Sequence, residues 1–130
     1  MNYALLVLAP PGSASRAALG FARAACARGH HLQRVFFLDR GVENGLGTAV
    51  APQGERDLPA QWAELASEQG VELVLCVSSA IRRGLLDATE AKRHEKAAPT
   101  IAPGFTIGGL GLLVEASADC ERLLTFGEGR

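Results

Sequence analysis

The sequence predicts an α/β fold: a three-layer α/β/α sandwich whose mostly parallel sheet has about five strands. Continuous apolar runs, such as residues 2–9 and 71–77, alternate with stretches of helical spacing along the whole chain. Strands covered on both faces read as uninterrupted apolar runs, and their alternation with helices is typical of a parallel sheet. The 130 residues fit one domain, 1–130, and a hydrophobic fraction of 48% suffices for its core without a disulfide or metal staple.

The first βα unit is predicted from the amino-terminal end of the sequence. Residues 2–9 form an apolar strand, and the following Pro-Pro-Gly makes a turn. Ser13 or Ser15 is expected to cap the next helix, which ends at Gly29.

The second βα unit contains the longest predicted loop. Residues 32–38 form the second strand, and residues 39–54 are rich in glycine without a clear period. A loop of this length in a compact domain is often functional. Asp57 and Pro59 begin the next helix, and Gly70 ends it.

The second half of the chain continues the alternation with shorter elements. Residues 71–77 form the third strand, and residues 78–83 form a short helical turn closed by Gly84. Asp87 is placed to cap a charged helix that runs to about residue 97. A short strand, a helix, a closing strand and a loose tail follow at residues 105–107, 109–117, 122–126 and 127–130.

Charge and cysteine usage limit the partners and the compartment. The 13 basic and 14 acidic side chains give a net charge of −1, which is no electrostatic footprint for nucleic acid or an anionic membrane. The apolar start reads as a strand rather than a signal peptide, and no run is long enough to span a membrane. Three cysteines, none in C-x-x-C spacing, favour a reducing, cytoplasmic setting.

Cys76 is the candidate catalytic residue. It ends the third apolar run, which places a thiol at the carboxyl end of a strand, where α/β proteins carry their chemistry. The positive end of the next helix and the charges of Arg82 and Arg83 would favour the nucleophilic thiolate. Two alternatives stay open: Cys76 as a core residue, and the two arginines as a solvated helix end.

Other motifs favour structural interpretations. Cys26 lies in an alanine-rich helix and indicates packing, whereas Cys120 lies in a polar turn with nothing nearby to activate it. His30-His31 lacks a partner at metal-ligand spacing, so we expect no metal site. The glycine-rich residues 41–47 match neither a Walker motif nor a dinucleotide fingerprint, so we expect no nucleotide cofactor.

The segment that begins at Cys76 resembles the TusD/DsrE family of sulfur-relay proteins, in which a similar C-V-x-A-A-x-R-R-G segment carries the persulfide cysteine. This segment reads Cys76-Val77-Ser78-Ser79-Ala80-Ile81-Arg82-Arg83-Gly84. Further likenesses are Val35-Phe36-Phe37, Gly41-Val42 with Asn44, and the stretch from Gly104 to Ala116. A departure is that Ser78-Ser79 stand where alanine is common in the family.

The resemblance implies a DsrE-like fold and a sulfurtransferase activity without a cofactor. Cys76 would accept sulfane sulfur as a persulfide from a TusA-like donor and pass it to a TusE/DsrC-like carrier, as in the synthesis of 2-thiouridine at the tRNA wobble position. Two smaller related subunits, TusB/TusC-like or DsrH/DsrF-like, would complete a heterohexamer. The alternatives are a DsrE subunit of dissimilatory sulfur oxidation and a non-catalytic DsrE-like assembly module. The sequence does not separate the pathways, because they differ in their partners.

Overall fold

The computed structural model describes residues 1–127 and contains five strands and five α-helices over that range. The strands are β1 (Asn2–Val7), β2 (His31–Phe37), β3 (Glu72–Cys76), β4 (Phe105–Gly108) and β5 (Arg122–Phe126). The helices are α1 (Ser13–Ala27), α2 (Leu58–Gln69), α3 (Val77–Arg82), α4 (Ala88–Arg93) and α5 (Gly111–Asp119), with a 3-10 helix at Asp39–Gly45. Within residues 1–127, no helix is long and apolar enough to cross a membrane.

The strands form one sheet in the order β4-β3-β2-β1-β5, and every neighbouring pair is parallel. The predicted α/β fold with a mostly parallel sheet of five strands is therefore confirmed. One irregularity lies in β2: Leu32 pairs with Tyr3 and Arg34 pairs with Ala4, so Gln33 is the extra residue of a β-bulge.

Helices cover both faces of the sheet. Phe37 of β2 packs edge to face on Trp62 of α2, with ring centroids 5.3 Å apart. Arg34, three residues earlier on the same strand, donates a hydrogen bond to the Leu112 carbonyl of α5. Because successive side chains of a strand point to opposite faces, α2 and α5 lie on opposite sides of the sheet. Helix α1 contacts α2 and lies on its side.

The core lies on both faces of the three central strands. Val7, Val35 and Leu75 are fully buried, as expected for strands with near-continuous apolar sequence. Trp62 and Phe37 are also fully buried, and their edge-to-face contact adds about 0.5–1.5 kcal/mol beyond the burial of area.

Three local expectations need correction. The predicted loop at 39–54 begins with the 3-10 helix Asp39–Gly45. Neither Ser13 nor Ser15 caps α1: its first turn has no side-chain cap, and Ser15 instead donates to the Ala9 and Pro10 carbonyls. The charged helix α4 ends at Arg93 rather than near residue 97, because Glu95 takes a positive φ of 56° that a helix cannot include.

Two predicted caps are confirmed. The Asp57 carboxylate accepts from the Ala60 amide at 2.8 Å, and the Asp87 carboxylate accepts from the Glu90 amide at 2.8 Å. Gly70 and Gly84, the predicted stops after α2 and α3, have φ of 68° and 75°, which glycine adopts without strain. Of the predicted tail at 127–130, residues 128–130 lie outside the described range.

Candidate functional site

Cys76 is the last residue of β3 and the N-cap residue of α3. In the register of the sheet it pairs with Gly108, the last residue of the edge strand β4. The residue beside the thiol on that strand therefore has no side chain. Cys76 itself is buried, with 2% of its surface exposed.

Cys76 lies between two neighbouring strands, β3 and β4, whose following connections run on opposite faces of the sheet. The connection from β3 to β4 passes along α2, since a Cβ on Gly104 would lie 3.1 Å from the Ala63 Cβ. The connection from β4 to β5 contains α5, on the opposite face. The crevice outside the carboxyl ends of two such strands is where open α/β sheets place their binding sites. The prediction that Cys76 lies at the carboxyl end of a strand is confirmed.

The Cys76 sulfur lies within hydrogen-bond distance of a serine hydroxyl in the first turn of α3. Burial raises the pKa of the thiol, but hydrogen bonding by the neighbouring Ser79 and Ser78 lowers that pKa below its ordinary value. The Ser78 Oγ lies 3.5 Å from the Cys76 Sγ. At this end of the sheet the thiolate form of Cys76 is therefore stabilised by neutral donors.

Ser79 is held in place from the other side. Its Oγ accepts a hydrogen bond of 3.0 Å from the Asp39 amide, at the start of the 3-10 helix. Its carbonyl accepts a hydrogen bond of 3.3 Å from the Arg83 Nη1. Ser79 is buried, with 6% of its surface exposed, whereas Ser78 is exposed.

Arg82 and Arg83 end α3, and both side chains are exposed. Arg83 donates to the carbonyl of Ser79, which is three residues after Cys76 in the sequence. The expected stabilisation of the Cys76 thiolate by these two charges stays a prediction.

The pKa values of the other two thiols, Cys26 and Cys120, shift in the opposite direction, upward. Burial raises the pKa of Cys26. Burial and the nearby Asp119 carboxylate raise the pKa of Cys120, whose Sγ donates to the Gln33 Oε1 at 2.9 Å. All three cysteines are free. Within residues 1–127, no group of three or more His, Cys, Asp or Glu side chains is arranged to hold a metal ion.

Comparison with known proteins assigns the chain to a family. The sequence profile of the DsrE/DsrF-like family matches residues 1–126. The chain belongs to this family. The sulfurtransferase TusD homolog of Pseudomonas aeruginosa is 40% identical over the full length of both chains. The putative sulfurtransferase DsrE of Allochromatium vinosum is 43% identical over 98% of this chain and all of the relative.

Further matches agree with the family. The sulfurtransferase TusD of Yersinia pestis is 41% identical over 97% of this chain and 98% of the relative. The crystal structure of the ychN protein from E. coli has the same fold, with a TM-score of 0.70 over 97% of this chain and 99% of that one, at 21% identity. The predicted resemblance, the DsrE-like fold and the enzyme class, a sulfurtransferase, are confirmed.

A buried polar network supports the site in this member of the DsrE/DsrF-like family, and sequence reasoning missed it. The Asn44 amide nitrogen donates to the Ala9 carbonyl, the Ser15 hydroxyl and the Gly41 carbonyl at 2.9–3.1 Å, and its oxygen accepts from the Trp62 ring nitrogen at 3.3 Å. Both Asn44 and Ser15 are fully buried. The network joins the 3-10 helix to α1 and α2, and thereby fixes the segment that contacts Ser79.

Glycine at position 41 is required by the same packing. A Cβ on Gly41 would lie 1.9 Å from the Val7 carbonyl oxygen and 2.8 Å from its carbon. The 3-10 helix therefore lies directly against the carboxyl end of β1. The run of glycines in this segment was the available signal, since a close backbone approach demands glycine.

Two open cavities lie away from the thiol. One of about 450 Å³ lies between Arg16 of α1 and Asp57 at the start of α2. The other, of about 340 Å³, lies between Ala60 of α2 and Ala102. Cys76 lines neither of them.

Proposed function

We propose that this chain is a sulfur-relay subunit that accepts sulfane sulfur as a persulfide on Cys76 and passes it to a TusE/DsrC-like carrier. The observation that carries the proposal is the hydrogen-bonded Cys76 thiol, whose pKa is lowered while those of Cys26 and Cys120 are raised. A thiolate is the nucleophile in sulfur transfer, so Cys76 is the thiol best prepared for it.

Two displacements at sulfur make up the mechanism. The Cys76 thiolate attacks the outer sulfur of a donor persulfide, the donor S–S bond breaks, and the donor thiolate leaves with its electron pair. The acceptor thiolate then attacks the outer sulfur of the Cys76 persulfide, and the Cys76 thiolate is regenerated. The transferred sulfur keeps its oxidation state throughout, so no metal or organic cofactor enters.

Access to Cys76 requires a local movement, since the residue is 2% exposed. The β4–α5 connection next to it begins with Gly109, α5 begins with Gly111, and a Cβ on either glycine would meet open space. Glycines without packing constraints make this connection the part of the site best able to move. Once sulfur is loaded, the outer atom extends about 2 Å beyond Sγ toward the acceptor.

The proposed partners are a TusA-like sulfur donor, the TusE/DsrC-like acceptor and two smaller related subunits, TusB/TusC-like or DsrH/DsrF-like, in a heterohexamer. Helix α5 supports an assembly, because its apolar side chains Leu110 and Val114 are 54% and 67% exposed beside the site. The three free cysteines support a reducing, cytoplasmic location. The proposed biological end point is thiolation of the tRNA wobble uridine, reached through the carrier rather than by direct contact with RNA.

A second candidate function is a DsrE subunit of dissimilatory sulfur oxidation. It is favoured by the identity of 43% with the putative sulfurtransferase DsrE of Allochromatium vinosum, slightly above the 40% and 41% with the two TusD relatives. The chemistry at Cys76 would be the same. The nearly complete burial of Cys76 favours a third candidate function, that of a non-catalytic assembly module. Genes for a sulfite reductase beside this one would favour sulfur oxidation.

Substitution of each cysteine by serine tests the transfer function. Cys76→Ser should retain the fold and lose sulfur transfer completely, because an alcohol neither ionises near neutral pH nor forms a persulfide. Cys26→Ser and Cys120→Ser are the matched controls and should retain most of the transfer. The measurement follows labelled sulfur from a persulfidated donor to each variant by mass and on to an acceptor thiol. Transfer by Cys76→Ser, or its loss in Cys120→Ser, would show that the wrong cysteine has been chosen.

A further inference from the structure

We propose that Arg34 is a positioning residue for sulfur transfer: its guanidinium holds α5 against the face of the sheet that carries Cys76, and thereby limits access to the thiol. The proposal rests on the proposed function of Cys76. Arg34 lies within β2 and acts through α5 rather than through the sulfur itself. The residues that carry the family resemblance do not include it.

The Arg34 guanidinium is buried between β3 and α5. Only 7% of its side chain is exposed. Its Nε donates to the Glu72 carboxylate of β3. On α5, its Nη1 donates to the Leu112 carbonyl at 2.7 Å and its Nη2 to the Glu115 carboxylate at 3.3 Å. A buried charge is costly unless it is paired and hydrogen-bonded, so these three acceptors explain how the fold tolerates Arg34.

Helix α5 depends on Arg34 for its polar connection to the sheet. Within residues 1–127, the hydrogen bonds that join α5 to the sheet all come from this one side chain. Ala116 is the only buried residue of the helix. Segments with few buried apolar contacts open most readily, so the loss of the Arg34 bonds would release α5 before the rest of the fold.

The first turn of α5 lies over the strand next to Cys76. Gly108 of β4 pairs with Cys76 in the sheet. A Cβ on Gly108 would lie 2.5 Å from the Leu112 Cδ1 and 2.9 Å from the Val74 Cγ1. Because side chains alternate along β3, Val74 and Cys76 point to the same face, which is the face that α5 covers. Cys76 is 2% exposed, and movement of α5 would therefore open a route to its thiol.

The guanidinium charge lies too far from the thiol to change its pKa much. Glu72, the strand partner of Arg34, is four residues from Cys76, about 13 Å along an extended strand. This distance exceeds the Debye length of about 8–10 Å at physiological ionic strength. The rate of sulfur exchange depends on access as well as on the thiolate fraction. Arg34 therefore acts on access.

The test compares the labelling of the three cysteines by iodoacetamide in wild type and Arg34→Met, which replaces the guanidinium by an unbranched apolar side chain. Arg34→Lys keeps the charge but loses the planar fork of donors, so it should give an intermediate result. Arg23→Met is the matched control, because Arg23 of α1 donates to Gln61 of α2 on the other face of the sheet. The mass of each cysteine peptide gives its labelling rate from pH 6 to 9, and urea denaturation gives the global stability.

In Arg34→Met, Cys76 should be labelled at least roughly 10-fold faster, for the loss of hydrogen bonds to a charged group. Cys120, the C-cap residue of α5, should also be labelled faster. Cys26 of α1, on the opposite side of the sheet, should keep its rate. The midpoint of the Cys76 labelling profile should stay at the same pH, because access changes and acidity does not.

Glu115→Gln is a second variant that should fold normally, since 52% of its side chain is exposed. It weakens one of the two bonds between Arg34 and α5, so it should raise the labelling of Cys76 by a smaller factor with the same pattern among the three cysteines. Loading from glutathione persulfide and discharge to 2-mercaptoethanol, both followed by mass, should accelerate in step with the labelling.

Unchanged labelling of Cys76 in Arg34→Met and Glu115→Gln would overturn the proposal. An equal rise at Cys26 would also overturn it, because that pattern marks a general loss of stability, and so would an equal rise in Arg23→Met. A shifted midpoint would mean that Arg34 acts on the acidity of the thiol instead. If Arg34→Met does not fold, Glu115→Gln decides. If the wild type takes no sulfur from the donor, the proposed relay function fails, while the labelling pattern still decides whether Arg34 limits access.

Discussion

The reactivity of Cys76 depends on which groups stabilise its charge. Its pKa is lowered against the effect of burial by hydrogen bonds from Ser79 and Ser78, which carry no net charge. For Cys26 and Cys120, burial raises the pKa. The three thiols therefore differ mainly in whether hydrogen-bond donors face the sulfur, and within residues 1–127 such donors are found only for Cys76, at the end of β3.

The two arginines of α3 provide a test at the residue scale. Arg83→Ala removes a positive charge and the hydrogen bond to the Ser79 carbonyl, whereas Arg82→Ala removes a charge alone. Loss of a nearby positive charge raises the pKa of a thiol, so less thiolate is present at neutral pH and loading is slower. We expect Arg83→Ala to slow loading several-fold and Arg82→Ala to slow it less, with neither abolishing it. The measurement is the loading rate from pH 6 to 9.

Arg16→Ala, an exposed arginine on α1, is the control for a general loss of charge. Equal loading rates for Arg82→Ala, Arg83→Ala and the control would show that both α3 arginines are only a solvated helix end, the alternative considered from the sequence.

At the scale of elements, the sequence predicts what depends on local pattern. The bounds of β5 match the prediction, and those of β3 differ by one residue at each end, because apolar runs bounded by glycine define strands. The 3-10 helix was missed because long-range contacts form it: the Asn44 side chain contacts Ser15 and Trp62, 29 and 18 residues away. Likewise, the position of Cys76 at the end of a strand is a local signal, whereas the hydrogen bond from the Asp39 amide to the Ser79 Oγ joins residues 40 positions apart.

The 3-10 helix links the core to the site, and a single methyl group tests this link. In Gly41→Ala the new Cβ would meet the Val7 carbonyl at 1.9 Å, so the 3-10 helix must move and carry Asp39 away from Ser79. We expect a loss of stability of about 1–3 kcal/mol, as for other overpacked sites, and slower sulfur discharge. Urea denaturation and the discharge assay measure the two effects.

Gly20→Ala is the matched control for this substitution. Gly20 lies within α1, and a Cβ there meets nothing within 4 Å. Alanine at such a position should stabilise the helix by roughly 0.5–1 kcal/mol and leave discharge unchanged. A fully stable Gly41→Ala with normal discharge would mean that the 3-10 helix does not position the site.

For the whole molecule, the distribution of exposed apolar side chains indicates where a partner binds. Helix α5 is rich in apolar residues, yet within it only Ala116 is buried. A helix that is apolar on most of its surface is normally covered. Leu110, which directly precedes α5, and Val114, one turn later, are exposed, and Leu110 is two residues after Gly108, the partner of Cys76 in the sheet. A partner on this face would also cover the approach to the thiol.

Replacing the exposed apolar side chains of α5 tests this interpretation. The variant Leu110→Ser/Val114→Ser should fold normally, since both side chains are more than half exposed. It should self-associate less than the wild type and fail to form a discrete complex with two small DsrF-like and DsrH-like relatives.

Val50→Ser is the matched control, because Val50 is 91% exposed but lines the cavity beside α2, away from Cys76. Sedimentation velocity measures self-association, and co-purification measures the complex. Self-association that falls equally in the control would mean that general surface hydrophobicity causes it, and an intact complex in the double variant would place the interface on another face.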